Sequence, residues 1–218
     1  LVYVTVMDLT KRHLAAVTAV LALGTATTFW AQATTANIRS LTTLFAALAL
    51  WALVRFYREV ERQKRCEIRD WRLGDWWLTL FALAISLGFT HHLSIAFMGV
   101  VFILFVLLVD PSLARMPRRW VRPLLAIVLG LLPLLYLPLR ANADVRGASP
   151  ALATFSGFLN HFLGLGFQGD FFYFTDPLVL WLRLGVMGKV LTFQFSPWLL
   201  VGMVVGLALM AWREWKLA

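Results

Sequence analysis

The sequence predicts an all-α fold, a polytopic transmembrane helical bundle of about six spans plus an external interfacial helix and loop. Three observations carry that prediction. Of the 218 residues, 61% are hydrophobic and 14% charged, against about 45–50% and about 25% in an ordinary soluble domain. The mean hydropathy is +0.77. The apolar residues gather into stretches near the length of about 20 residues that a bilayer core demands, and 10 Trp and 17 Phe suit the aromatic belts at membrane surfaces.

In chain order the expected spans are 13–31, 40–56, 76–90, 93–109, 123–139 and 197–212. The first runs into a polar turn with Trp30 at its edge. The third and fourth are separated by almost nothing, which predicts a tight helical hairpin turning near "THH". Residues 55–76, "RFYREVERQKRCEIRDWRLGDW", read as a basic loop, with an interfacial helix of mixed charge in it. Residues 140–196 form the longest connection. Within it Phe155, Phe158, Phe162 and Leu163 recur at helical spacing, as in an amphipathic helix lying in the membrane interface. "GLGFQGDFFYF" follows as a loop, and Asp176-Pro177 is a helix-start signal. The whole chain, 1–218, reads as one transmembrane domain.

Charge sets the orientation. Lys11, Arg12, the seven Lys and Arg from Arg55 to Arg72, the four from Arg115 to Arg122, Arg213 and Lys216 fall on one side. Only Arg39, Arg140, Arg146, Arg183 and Lys189 fall on the other. Positive-inside bias therefore predicts both ends of this chain inside, in a multi-pass protein of a bacterial-type plasma membrane. It also accounts for the net charge of +9 without a nucleic-acid partner. With Cys66 the single cysteine, there is no internal disulfide framework. The chain starts "LVYVTVMDL" without a recognisable signal peptide and is expected to be a fragment lacking an N-terminal portion.

The unusual polar residues gather on the outer side. His91 and His92 sit side by side in an apolar stretch. They read either as interfacial histidines meeting water or a carbonyl, or as the lining of an outward-facing cavity that contacts a phosphate or sugar. A metal site would need more ligands, such as His161, because neighbouring helical residues point about 100° apart; none is expected. Arg140 ends a Leu- and Pro-rich helix. It is either a snorkelling anchor or a phosphate ligand, since its planar fork suits bidentate contact. Gln32 lies on the outer turn of the first hairpin, and Gln168 and Asp170 on the glycine-bearing loop. Asp144, Asp170 and Asp176 are the outer carboxylates. No nucleotide-phosphate loop, nucleophile elbow, zinc-protease helix or Cys pair is present.

The stretches "FWAQATTANIRSLTTLFAAL", "LGFTHHLSIAFMG", "LLPLLYLPLRA" and "TFSGFLNHFLGLGF", in this order over about residues 12–175, resemble a family of multi-pass proteins long known as a domain of unknown function. It includes an animal membrane O-mannosyltransferase and many bacterial members. The resemblance implies a GT-C-class glycosyltransferase. Such an enzyme takes a sugar from a polyprenyl- or dolichyl-phosphate donor, here with mannose as the implied sugar, and gives it to a protein or glycan acceptor on the extracytoplasmic side. It implies no cofactor. His91, His92, Arg140, Gln32, His161, Gln168 and Asp170 are then candidates for the donor phosphate and substrate. Two departures stand out. Asn37 and Arg39 occupy places where members carry an acidic residue and a tyrosine, and the catalytic acid that such enzymes place in their first external loop would precede residue 1. Two other classes stay open to the residues: a transporter or flippase of a lipid-linked or anionic substrate, and a non-catalytic membrane scaffold. The absence of an internal repeat and the one-sided polar residues weigh against the transporter.

Overall fold

The computed structural model describes residues 1–35, 38–67, 70–143, 145–167 and 176–213. Among them there are helices and connections and no strand. A chain in hydrocarbon must pair every backbone amide within its own segment, and the helix does this locally.

The chain divides into two compact units, Leu1–Leu131 with Leu207–Ala218, and Leu132–Gly206. The first opens with α1 (Val2–Thr10) and α2 (His13–Gly24), then α3 (Thr27–Ala33), which bends 70° from α2. α4 (Ile38–Cys66), α5 (Arg72–His91) and α6 (Ser94–Val109) follow. Two short 3-10 helices, Pro111–Arg115 and Pro117–Trp120, lead to α7 (Val121–Leu131).

α5 is the centre of this unit, packed on α4 along one side and on α7 along the other. The α4 side is a hydrophobic seam: Ala49, Ala52, Leu53, Phe56 and Val60 meet Leu78, Phe81 and Ala84 of α5, with Val106 and Val109 of α6 closing the end. The α7 side is a small-residue contact. A Cβ on Gly130 would overlap the Ser86 hydroxyl and lie 2.9 Å from Ser86 Cβ, so the absence of a side chain there lets the helices touch. Ser86 Oγ donates within its own helix to Ala82 O at 2.8 Å, which satisfies it in an apolar contact.

The second unit holds α8 (Tyr136–Asn142), α9 (Phe155–Phe162) and α10 (Pro177–Gln194), with 3-10 turns at Leu132–Leu135, Pro150–Ala153 and Leu165–Phe167. α9 starts where Thr154 Oγ1 accepts from Gly157 N at 3.1 Å, and α10 starts where Asp176 Oδ1 accepts from Leu178 N at 2.8 Å. Both are side-chain N-caps, the second ahead of a proline at the first helical position. α11 (Pro197–Arg213) bends 111° from α10 and runs across the division between the units.

Three helical runs are long and apolar enough to cross a membrane, Ser40–Cys66, Arg72–His91 and Pro117–Asn142, or up to five if each bent pair makes one span. Each of the six expected spans has a helical counterpart, with differences of physical interest. The fourth is a helix of 16 residues, about 24 Å long at 1.5 Å per residue and short of a core about 30 Å thick. The basic run from residue 55, expected as a loop holding an interfacial helix of mixed charge, is helical as far as Cys66 as an unbroken continuation of α4. Its charges support the helix through Glu59–Arg62 at 2.6 Å and Glu61–Lys64 at 3.4 Å, both one turn apart. At 29 residues, α4 is about 44 Å long and reaches well past a bilayer core. Finally, the stretch 140–196 contains the expected short helix, α9, and also the 18-residue α10. Arg183, Gly185, Gly188 and Lys189 interrupt the apolar run there and hide α10 from a hydropathy reading.

Candidate functional site

One end of the first unit, the end that charge bias assigns to the outside, is built from the start of α4 and the α5–α6 hairpin. Ser40 Oγ donates to Gln32 O at 2.7 Å, tying α3 to the first turn of α4. Phe45 comes next along α4, and its ring stacks on His91 at 5.6 Å between centroids, with the planes 17° apart. Gly88, one turn before His91, makes the close approach possible. A Cβ there would sit 3.1 Å from Phe45 Cβ and overlap Ile95 Cδ1.

The two histidines part company at the hairpin. His91 is the last residue of α5 and is half-buried. His92 is exposed and extended, φ −156° and ψ 127°, which stops the helix. Its Nδ1 accepts from Ser94 N at 3.2 Å, serving one of the amide donors that the start of α6 leaves unpaired. The turn near "THH" is thus two residues long, His92 and Leu93.

In the second unit, Arg140 lies in the last turn of α8. Its Nη1 donates to Tyr136 Oη at 2.8 Å, and its guanidinium carbon lies 5.8 Å from the centre of the same ring. Nη2 points to Arg146 O at 3.5 Å. His161 is exposed in the last turn of α9. The 3-10 turn Pro150–Ala153 packs against both α8 and α9, so Arg140 and His161 stand on helices joined through one short element. Gln168, Asp170, Asn37 and Asp144 lie outside the described residues, as does the side chain of Arg39. Among the described residues no group of three or more His, Cys, Asp or Glu comes together.

At the other end of the first unit is a polar cluster that pattern reading missed. Arg119 Nε donates to Asp75 Oδ1 at 2.8 Å, and Nη1 donates to Asp110 Oδ2 at 2.7 Å and to Ser112 Oγ at 3.0 Å. Nη2 lies 2.7 Å from Asp75 Oδ1 but out of line for a hydrogen bond. The guanidinium carbon is 4.4 Å from the centre of the Trp71 ring. Arg119 is 9% exposed and Asp110 3%. One cation thus joins the start of α5, the end of α6 and the approach to α7. Nearby, Asp8 accepts from Trp51 Nε1 and Arg55 Nη1, both at 3.1 Å, and Arg55 lies over Trp77. Asp8, Asp75 and Asp110 are thus each engaged by the protein itself. Partners 44 residues apart carry no local signal, whereas the Tyr136/Arg140 pair stands at helical spacing, which could have revealed it.

Comparisons with curated proteins and with solved structures give no match. A family model, the protein O-mannosyl-transferase TMEM260 N-terminal domain, matches residues 4–115, from α1 through the 3-10 helix after α6, and so encloses Phe45, His91 and His92. With just over half of its length in that match, the chain belongs to the family of the protein O-mannosyl-transferase TMEM260 N-terminal domain.

Proposed function

We propose that this chain is part of a membrane glycosyltransferase that moves a sugar, mannose by its family, from a polyprenyl-phosphate-linked donor to a protein or glycan acceptor on the extracytoplasmic side. The observation that carries the reading is the family match over residues 4–115. Support comes from the placement of the unusual polar residues. The Lys- and Arg-rich segments, with the Arg119 and Asp8 clusters, belong to the end assigned inside by charge bias. Gln32, His91 and Arg140 belong to the ends assigned outside. Membrane lipid faces the exposed apolar surface of α6, where Phe97, Val100, Val101 and Leu104 are each more than half exposed.

In this reading the donor's lipid tail lies along apolar helices and its phosphate meets Arg140. As the bond from the sugar's anomeric carbon to the phosphate oxygen breaks, negative charge grows on the leaving phosphate, and a fixed guanidinium opposes that charge most where it is largest. Tyr136 holds the fork in place through its hydroxyl. The acceptor oxygen attacks the opposite face, which inverts the anomeric centre, and its proton goes to a base that the described residues do not identify. The test is sugar transfer by the protein in membranes, with polyprenyl-phosphate mannose as donor. Arg140→Ala is expected to lower transfer about 100-fold, the scale of losing one donor to a developing anion. Unchanged transfer would remove Arg140 from the site, and no transfer across a panel of lipid-phosphate sugars would overturn the reading.

A further inference from the structure

We propose that the corner between α6 and α7 is a docking surface for an anionic phospholipid, with Arg115, Arg118 and Arg122 meeting its headgroup and the exposed face of α7 meeting its chains. The proposal is independent of the glycosyltransferase reading. It starts from which cations of the first unit are already spent. On α4, Arg55 donates to Asp8, Arg58 to Leu9 O, Arg62 to Glu59 and Lys64 to Val109 O. At the corner itself Arg119 is spent on Asp75 and Asp110. These charges hold the protein together.

Arg115, Arg118 and Arg122 do not. All three are exposed, and among the described residues none of them has a side-chain hydrogen bond or ion pair. The chain offers them no acid from Pro111 to Ala143, and Asp110, just before, is committed to Arg119 and Ser112. A phosphate supplies the missing counter-charge, and the guanidinium fork suits it. The backbone that carries them is already set. Trp120 Nε1 donates to Leu113 O at 2.9 Å, Leu113 is buried in the unit's core, and Asp110 Oδ1 accepts from Ser112 N. Little beyond the arginine side chains has to be ordered on binding. The surface beside them decides the kind of anion. Arg122, Leu125 and Leu129 share one face of α7 by helical spacing, while Pro123, Ala126 and Gly130 form its buried face. Leu125 and Leu129 are each more than half exposed. A cationic end continued by an apolar strip about 10 Å long matches both parts of a phospholipid. A nucleic acid or an acidic protein segment matches the cationic end alone.

The experiment uses the full protein, purified in a mild detergent and titrated with phosphatidylglycerol or phosphatidylcholine. Binding is read by native mass spectrometry, and the unfolding temperature is read alongside. The parent is expected to bind phosphatidylglycerol at least about tenfold more tightly than phosphatidylcholine, and to gain unfolding temperature from the first lipid more than from the second. Each arginine lost should weaken phosphatidylglycerol about fivefold, the worth of one basic residue at an anionic surface, so Arg118→Gln with Arg122→Gln should weaken it about 25-fold. Arg12→Gln with Arg65→Gln removes the same charge from exposed positions elsewhere in the unit and should change binding less than about twofold. Without lipid both double variants should unfold with the parent, because the exchanged side chains make no hydrogen bond or ion pair among the described residues. Equal binding of the two lipids by the parent would overturn the proposal. So would an equal loss in the two double variants, which would show a diffuse field in place of a site. If the corner double variant does not fold, the single Arg122→Gln decides: a fivefold loss supports the site and parent binding removes it. No readout involves sugar transfer, so failure here leaves the transferase reading untouched.

Discussion

Arg119 is the residue on which the junction of α5, α6 and the approach to α7 depends. Its guanidinium answers two carboxylates from different helices, one of them nearly inaccessible to water. Replacing the pair and its partner with apolar groups is often tolerated, but removing one member leaves the others as uncompensated charge. Arg119→Ala is therefore expected to cost about 3–5 kcal/mol, read as a lowered unfolding temperature in detergent. Arg119→Lys should fall between, because an ammonium lacks the planar fork that spans Asp75 and Asp110 together. A parent-like midpoint in Arg119→Ala would show that the two acids find water or another cation instead. His92→Ala belongs to the same scale and should lower the midpoint slightly, by loss of the contact to Ser94 N.

Elements meet here through absent side chains as much as through present ones. At Gly130 an added methyl group meets Ser86 and the backbone oxygen of Leu83 at 3.2 Å, so α5 and α7 must part. Gly130→Ala is expected to cost about 1–3 kcal/mol, the range for overpacked contacts. Gly202, in α11, has nothing within 4 Å of an added Cβ. Gly202→Ala should be neutral or gain up to about 1 kcal/mol from helix propensity. Thermal unfolding of both variants in one detergent checks the ordering, and equal midpoints would remove the α5–α7 contact as a determinant. What the sequence made legible follows the same division. The start of α10 was legible because Asp176 acts locally, two residues from Leu178 N, and α9 was legible from Phe155, Phe158 and Phe162 at helical spacing. The continuation of α4 to Cys66 was not, because hydropathy falls where i,i+3 ion pairs take over. Nor was the stacking of His91 on Phe45, a ring 46 residues earlier.

For the whole molecule, orientation is the property most open to test. Cys66 is the chain's single cysteine and is exposed at the end of α4. With that end inside, a membrane-impermeant maleimide added to right-side-out vesicles should leave Cys66 unlabelled and should reach it after permeabilisation. In a Cys66→Ser background, Ser149→Cys, at an exposed position, should be labelled without permeabilisation. The reverse pattern would invert the topology and move Arg140 to the inner side, away from an extracytoplasmic acceptor.

The Arg119 cluster also bears on how the protein is made. Asp75 precedes Arg119 by 44 residues and Asp110 precedes it by nine. A nascent chain that has delivered α4 and α5 to the bilayer thus carries Asp75 ahead of its cation, and water at the membrane surface must hold that charge until the ribosome has released the 3-10 turns. The apolar seam of α4, α5 and α6 has all its residues before Arg119 is made, whereas the polar junction at its end can close only once the segment just before α7 has been translated.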